Sequence, residues 1–219
     1  LGVVGDVGAT IGALLPKLKA KTDRKHLDDS LAHYKKARAG LDDLAKGTPG
    51  QKPIHPQYLA RLLSEQASED AVFTADVGTP TIWAARYLAM NGRRRLIGSF
   101  VHGSMANAMA QAIGAQASQQ GRQVISMSGD GGFMFGVQEL ATARQYGLGV
   151  VAIVFNNSSY GNVLRDQRNV YKGREIGSSL TNPDFVKLAE SFGAVGYLVK
   201  TPALLKAALE RAFAQAGPV

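Results

Sequence analysis

No cysteine occurs among the 219 residues, which excludes a disulfide framework and any thiolate metal site. No run of about 18 apolar residues is present and no basic-then-apolar leader opens the chain, so neither a membrane span nor a secretory signal is expected. A soluble, cytoplasmic protein is the reading. Much of the formal charge of +8 sits between Lys17 and Lys52 and in Arg93, Arg94 and Arg95, but no aromatics interleave there to stack on bases. Nucleic-acid binding is therefore not expected; a solvated basic face that tolerates anionic substrates or acidic lipid is.

What is present is organised around Val124 to Gly161, VISMSGDGGFMFGVQELATARQYGLGVVAIVFNNSSYG. The pattern predicts a buried strand (Val124 to Ser128), a Gly-Asp-Gly-Gly turn, an amphipathic helix from about Phe135 to Tyr146, a second strand (Val150 to Phe155) and an Asn-Asn turn. That is one βαβ unit, and its right-handed crossover sets Asp130 beside Asn157 at the carboxyl edge of a parallel sheet. Gly129, Gly131 and Gly132 permit close backbone approach and leave amides free at a helix start, which suits a phosphate. Asp130 offers a carboxylate oxygen and Asn157, 27 residues on, an amide oxygen. Such a pair suits Mg²⁺ or Ca²⁺ bridging to a diphosphate. A Gly-Asp-Gly turn alone is more often structural; the Asn-Asn turn ending the next strand is what points to function. The turn is expected at the surface, so that Asp130→Ala or Asn157→Ala would remove cation-dependent binding and leave the fold intact.

GDGG followed by NN at this spacing resembles the thiamin diphosphate and Mg²⁺ motif of the thiamin-dependent decarboxylase, oxidase and acetolactate synthase superfamily. The resemblance implies an α/β fold, a doubly wound parallel sheet with helices on both faces, preceded by the end of another α/β domain. It implies that Asp130 and Asn157 are side-chain metal ligands and that the Ser159 carbonyl joins them, with Tyr160 and Gly161 continuing the turn. Gly78 and Thr79, in the DVGTP turn, would contact the diphosphate end. Gly103-Ser104-Met105 sits where the family holds its cofactor bent. By resemblance Met105 is the wedge, its N–H meets the aminopyrimidine, and the Gly103 carbonyl receives the 4′-amino group, which positions a base the cofactor itself carries. From the residues alone, Met105 reads as core, and the 76–80 turn, at a strand's carboxyl end, joins the same rim as the Asp130 and Asn157 turns, with a capped βα connection touching nothing as the alternative. His102 lies beside the Gly103 turn without a motif that assigns it to substrate.

Elsewhere, LGVVGDVGATIGALLPKL predicts a short apolar strand, a Gly-Asp turn and a helix. This reads as the last βα unit of a preceding domain (1–18), so the chain is expected to be part of a longer polypeptide. Gly5-Asp6 has no partner turn and reads as structural. Residues 19–52 form a charged helical connector with a sparse stripe of Leu27, Leu31, Tyr34, Leu41 and Leu44, broken at Gly47-Thr48-Pro49-Gly50; His26 and His33 on it read as solvated. The thiamin diphosphate-binding domain would span 53–219 without its last strand. Further strands are expected near 72–75, 95–99 and 195–199, and helices over Pro56 to Gln66 and through Trp83 to Met90. Small residues from Gly103 to Ala115 predict a closely packed helix. RNVYKGREIGSSLTN has no clear period and resembles the loop lying over the family's active site.

The resemblance divides along the chain. Leu1 to Asp130 is similar to the pyruvate oxidase (quinone-linked pyruvate dehydrogenase) branch, which also uses FAD; FMFGVQELATARQYGL and FNNSSYGNV are similar to the acetolactate synthase branch. Oxidative decarboxylation of pyruvate is thus the first expectation, with thiamin diphosphate and Mg²⁺ bound here and FAD in the full-length protein. An acetolactate synthase-like carboligase or non-oxidative 2-oxo acid decarboxylase is the alternative. Outside enzymes, a doubly wound domain that binds a nucleotide or a protein partner stays open. In this family a carboxylate from a neighbouring subunit's amino-terminal domain activates the aminopyrimidine, and nothing in the 219 residues matches it. The resemblance therefore implies a homo-oligomer, dimer or tetramer, with active sites between subunits acting on a small 2-oxo acid. It also implies peripheral membrane contact only in the full-length protein, and no turnover by these residues alone.

Overall fold

In the computed structural model, which describes residues 2–219, Asp6 starts the first helix: its Oδ1 accepts from the Ala9 amide at 2.8 Å. This N-cap fixes α1 (Val7–Leu14), so the Gly5-Asp6 turn is structural, as read. The strand expected ahead of it does not form. Residues 2–6 are irregular with Val3 and Val4 exposed, and among the described residues no strand lies alongside to complete a ladder; Leu1 lies outside the described residues. Helix α2 (Lys25–Leu44) carries ion pairs at i,i+4, Lys25–Asp29 and Arg38–Asp42, each worth a few tenths of a kcal/mol, ~0.3–0.5. Its Leu27, Leu31, Tyr34, His26 and His33 are exposed. One compact unit ends at Asp42 and a second begins at Asp43. No described helix is long and apolar enough to cross a membrane.

The second unit is built on four short strands, β1 (Val72–Ala75), β2 (Arg95–Gly98), β3 (Val124–Gly129) and β4 (Val150–Phe155), in the order β2-β1-β3-β4 and all parallel. Helix α3 (Pro56–Gln66) precedes β1; α4 (Thr79–Tyr87), α5 (Asn107–Ser118), α6 (Asp130–Phe135) and α7 (Glu139–Gln145) fill the connections between strands; and α8 (Gly161–Asn169), α9 (Phe185–Ser191) and α10 (Pro202–Phe213) follow β4. Because a strand turns alternate residues to opposite faces, Val72 and Val124 pack with Met109, Leu140 and Val150, while Phe73 and Ile125 pack with Leu62, Leu63 and Leu209. β1 and most of β3 are buried on both faces, which is why their sequences are mainly apolar and broken only by the small hydroxyl residues Thr74, Ser126 and Ser128. Each fully buried Phe, Ile or Leu contributes about 1.5–3 kcal/mol relative to an exposed one. From β1 the chain steps outward to β2 and then returns to the other side of β1 as β3. This reversal leaves a crevice at the carboxyl ends of β1 and β3, the place where doubly wound sheets bind ligands.

Two features depart from the sequence pattern. The helix expected over 135–146 is two helices, α6 beginning already at Asp130 and α7 at Glu139. The break falls at Gly136, where a Cβ would stand 3.3 Å from the Ala106 carbonyl. The segment 195–199 is not a strand: Val195 makes a single ladder-like bond to the Pro218 carbonyl at 3.1 Å. Between it and β4 stand only Pro218 and Val219, the latter pairing in parallel fashion with β4 (Val219 N to Val150 O, 3.1 Å; Ala152 N to Val219 O, 2.7 Å). One residue of pairing does not make a ladder.

Arg94 also corrects the solvated basic face read for 93–95. It is 5% exposed, and its guanidinium donates to the carbonyls of Ser64, Ala67, Ser68 and Ala89 at 2.6–3.1 Å. Three of those carbonyls, Ser64, Ala67 and Ser68, lie at and beyond the end of α3, and that of Ala89 lies just beyond the end of α4; helix ends leave acceptors unsatisfied and favour a cation.

Candidate active site

Three turns meet in the crevice. β3 and β4 pair up to Gly129↔Phe155, so Asp130 and Asn156 are the first residues past neighbouring strands, as the βαβ reading requires. Asn182 ties them together, its Nδ2 donating to Asp130 Oδ2 at 2.7 Å and to Asn156 Oδ1 at 2.9 Å. Asp130 is not a surface group. It is 1% exposed, and its other oxygen accepts from the Gly131 amide at 2.9 Å, so that amide is not free for a phosphate. Both donors are neutral, leaving a buried carboxylate whose charge they do not cancel. Asn157 is exposed, with Oδ1 accepting from the Ser159 amide at 3.2 Å. Ser159 forms an antiparallel bridge with Ser179, flanked by Tyr160 N to Ser178 O and Leu180 N to Ser158 O, both 2.9 Å. In a pair of this kind the central residues turn their own N–H and C=O away from the partner segment, so the Ser159 carbonyl is directed off the bridge.

The glycines of the motif divide the work. A Cβ at Gly131 would overlap the Tyr160 ring, and one at Gly132 would overlap Asp76 Oδ2. Tyr160 in turn stacks on Phe135 at 6.3 Å. Those two glycines make room for protein side chains. Only at Gly129 would a Cβ meet nothing within 4 Å, which leaves that glycine facing open space. Gly161, the first residue of α8, would bring a Cβ to 3.3 Å from Asn157 Nδ2.

Asp76, at the end of β1, was passed over in the sequence as part of an ordinary turn. It is 1% exposed, and Oδ1 accepts from the Ala108 amide at 2.9 Å and from Asn107 Nδ2 at 3.3 Å. Asp76 thereby caps α5 from another segment, because the N-cap position itself is Ala106, held left-handed at φ 65° with no side-chain bond. Asn107 Nδ2 also donates to the Ser104 carbonyl at 2.6 Å, and the Val77 amide reaches the same carbonyl at 3.4 Å. The Gly103–Met105 turn is thus bonded to the Asp76–Gly78 turn. Burial raises the Asp76 pKa above its ordinary value of 3.8, against the pull of the Ala108 amide, the Ser128 hydroxyl and the Ala106 and Asn107 amides. A raised folded-state pKa means the native state holds the proton after the unfolded chain has lost it. The resulting stabilisation is full below about 3.8 and is lost as pH rises through the folded-state value. Urea unfolding across pH 4–8 should therefore show Asp76→Asn gaining on the parent as pH rises, by up to about 1.4 kcal/mol per pH unit within that window. A constant difference between the two would contradict the burial argument.

Gly78 stands before α4 at φ 112°, which a residue with a side chain rarely adopts, and Thr79 begins the helix. Space in front of Gly78 is bounded by Asn162 and Pro80 at 3.8 Å, and Asn162 Oδ1 is buried without a partner. Gly103 at φ 78° packs toward Val77, and Met105 is 38% exposed, so it is not the core residue its type suggests. His102 is exposed beside it. The structure thus gathers Gly78, Thr79, Gly129, Asp130, Asn157, Ser159 and Gly161 at one edge of the sheet. Gly103, Ser104 and Met105 are joined to that edge through Asn107. Asp76 and Asn182 are the members that motif reading missed. Asn182 closes the unpatterned stretch RNVYKGREIGSSLTN, and at 52 residues from Asp130 no local signal singles it out.

Comparison with known proteins supplies a family. The description "Thiamine pyrophosphate enzyme, C-terminal TPP binding domain" matches residues 76–219. The mitochondrial acetolactate synthase catalytic subunit of Aspergillus candidus is 34% identical over 99% of this chain and 32% of its own. Acetolactate synthase isozyme 3 large subunit of Escherichia coli (strain K12) is 32% identical over 97% of this chain and 38% of its own. YdaP of Bacillus subtilis (strain 168), described as thiamine pyrophosphate-containing, is 33% identical over the whole chain and 38% of its own. The chain spans about a third of the length of these relatives. With the parallel, doubly wound sheet and the GDGG and NN turns side by side at its carboxyl edge, residues 76–219 belong to the thiamin diphosphate-dependent enzyme family as its C-terminal cofactor-binding domain.

Proposed function

We propose that this chain is the cofactor-holding part of an acetolactate synthase-like carboligase acting on 2-oxo acids. The observation that carries the reaction is the run of acetolactate synthases matched over nearly the whole chain, which favours carboligation over the pyruvate oxidation suggested by the first half of the sequence. The site fits a cation and diphosphate on the chemistry of its donors. A buried carboxylate with two neutral partners, an exposed amide oxygen and a carbonyl turned off its bridge are hard oxygen ligands of the kind Mg²⁺ takes. Asp130, Asn157 and Ser159 would hold the metal. Gly78, Thr79, Gly129 and the start of α8 at Tyr160 and Gly161 would border the diphosphate. Gly131 and Gly132 would support it from behind by admitting Tyr160 and Asp76.

Thiamin diphosphate, when bound, supplies the carbon nucleophile and the electron sink for decarboxylation. The chain's share is position. Asp76 and Asn107 fix the Gly103–Met105 turn against the metal-bearing edge, so that the Gly103 carbonyl and Met105 side chain can hold the ring end of the cofactor in one orientation. In the overall reaction one 2-oxo acid loses CO₂ and its remaining acyl unit adds to the keto carbon of a second. Two pyruvates give one acetolactate and one CO₂, with no net oxidation and no call for an electron acceptor.

The full-length protein incubated without oxygen in pyruvate, thiamin diphosphate and Mg²⁺ should release one CO₂ per acetolactate formed, with any bound flavin keeping its absorbance. Bleaching of flavin with acetate as the product would instead establish the oxidase. Calorimetry against NAD and ATP separates both from a nucleotide-binding domain, which would take those in preference to thiamin diphosphate.

A further inference from the structure

After α8 the chain runs through an exposed stretch, with Val170, Tyr171 and Ile176 open to solvent, and is then abruptly pinned. Ser178 is 2% exposed and its carbonyl accepts from Tyr160. Ser179 faces Ser159 across the bridge. Leu180 donates to the Ser158 carbonyl and lies against Gly131, where a Cβ would be 3.2 Å from its Cδ1. This strap delivers Asn182 to the two turns that carry the proposed cation ligands.

The orientation of the Asn182 amide follows from its partners. A carboxylate oxygen only accepts, and Asn156 Oδ1 is already accepting from the Ser158 amide at 3.2 Å, so the NH₂ must face both. Asp130 Oδ1 is occupied by Gly131 and Oδ2 by Asn182, yet each oxygen keeps a second lone pair. A cation can therefore approach without displacing Asn182, and the carboxylate it meets is already aimed.

We propose that Asn182 is a positioning residue for the cation site: carried in on the Ser178–Asn182 strap, it orients the Asp130 carboxylate and sets the spacing of the Asp130 and Asn157 turns. This rests on the reading of Asp130, Asn157 and Ser159 as metal-holding groups. Orienting partners of metal ligands are worth about 10- to 100-fold in metal affinity.

The test is a calorimetric titration of the full chain in two directions, Mg²⁺ with thiamin diphosphate in excess and thiamin diphosphate at saturating Mg²⁺. Asn182→Ala should raise the half-saturating Mg²⁺ concentration about 10- to 100-fold and leave thiamin diphosphate affinity at saturating Mg²⁺ near that of the parent. An unchanged Mg²⁺ requirement, or equal weakening at every Mg²⁺ concentration, overturns the proposal. If Asn182→Ala fails to fold, Asn182→Asp keeps the question open to decision. It sets a second carboxylate against Asp130, so without metal its melting temperature should fall and the rise on adding Mg²⁺ should exceed the parent's. A rise equal to or smaller than the parent's also overturns it. A parent that binds thiamin diphosphate without regard to Mg²⁺ would remove the metal site itself, and the role of Asn182 with it.

Discussion

Asp130→Asn should lower thiamin diphosphate affinity in Mg²⁺ by about 100-fold or more while the protein stays folded, because it replaces the one charged oxygen donor of the site by a neutral one of the same shape. The choice of asparagine matters. Sequence alone places this turn at the surface and makes alanine a clean probe, but α6 begins on Asp130 itself and the Ser178–Asn182 strap closes over it, leaving 1% exposed. Asp130→Ala would strand both the Gly131 amide and the Asn182 amide without an acceptor, a loss of about 1–3 kcal/mol that mixes stability with binding, whereas Asp130→Asn fills the same space and keeps an acceptor for one of them. Calorimetry paired with thermal melts separates the two effects. In the parent, Mg²⁺ and cofactor should raise the melting temperature; in Asp130→Asn they should not. Parent-like cofactor affinity in Asp130→Asn would remove Asp130 from the site.

Gly132→Ala should be among the most damaging single-methyl additions in the chain, costing about 3 kcal/mol. The new Cβ would overlap Asp76 Oδ2 and lie 3.2 Å from its Cγ. Asp76 has nowhere inexpensive to go, since moving it breaks the bond to the Ala108 amide and releases Asn107 from between Asp76 and Ser104. The Gly103–Met105 turn would loosen with it. Urea unfolding of the double-mutant cycle with Asp76→Ala makes the claim specific: shortening Asp76 should relieve most of the cost of Gly132→Ala, giving a coupling of about 1–3 kcal/mol. Strict additivity of the two changes would show that the methyl is resisted by something other than Asp76.

The parts legible in sequence were those whose signal is local. The β1, β3 and β4 segments stood out because apolar runs bounded by glycine and asparagine turns leave few other readings, and β4 falls at 150–155 as expected. Asp130 and Asn157 stood out because consecutive parallel strands must end at the same edge. What stayed hidden depends on contacts distant in sequence. Asp76 looks like any residue in a Gly-containing turn until α5, starting 31 residues later at Asn107, brings its amides to it. Arg94 looks like its neighbours Arg93 and Arg95 until the ends of α3 and α4 supply four carbonyls. The 195–199 segment has the composition of a strand, but pairing depends on a neighbour, and its neighbour is Pro218. The break between α6 and α7 was likewise invisible, since a glycine such as Gly136 is tolerated inside a helix.

The packing of Gly131 on Tyr160 and of Gly132 on Asp76 bears on how such a motif can drift over evolution. Gly132 shares its volume with Asp76, and Gly131 with Tyr160 and, less closely, Leu180, so neither position is free to vary alone. A sequence that enlarges the residue at 132 must shrink the one at 76, and one that enlarges 131 must give up the aromatic at 160. Covariation between these pairs, across 56 and 29 residues of chain, is therefore the trace this geometry should leave in any large collection of sequences sharing the fold. A substitution inside GDGG would accordingly survive more readily with a compensating change in a distant turn than with one beside it.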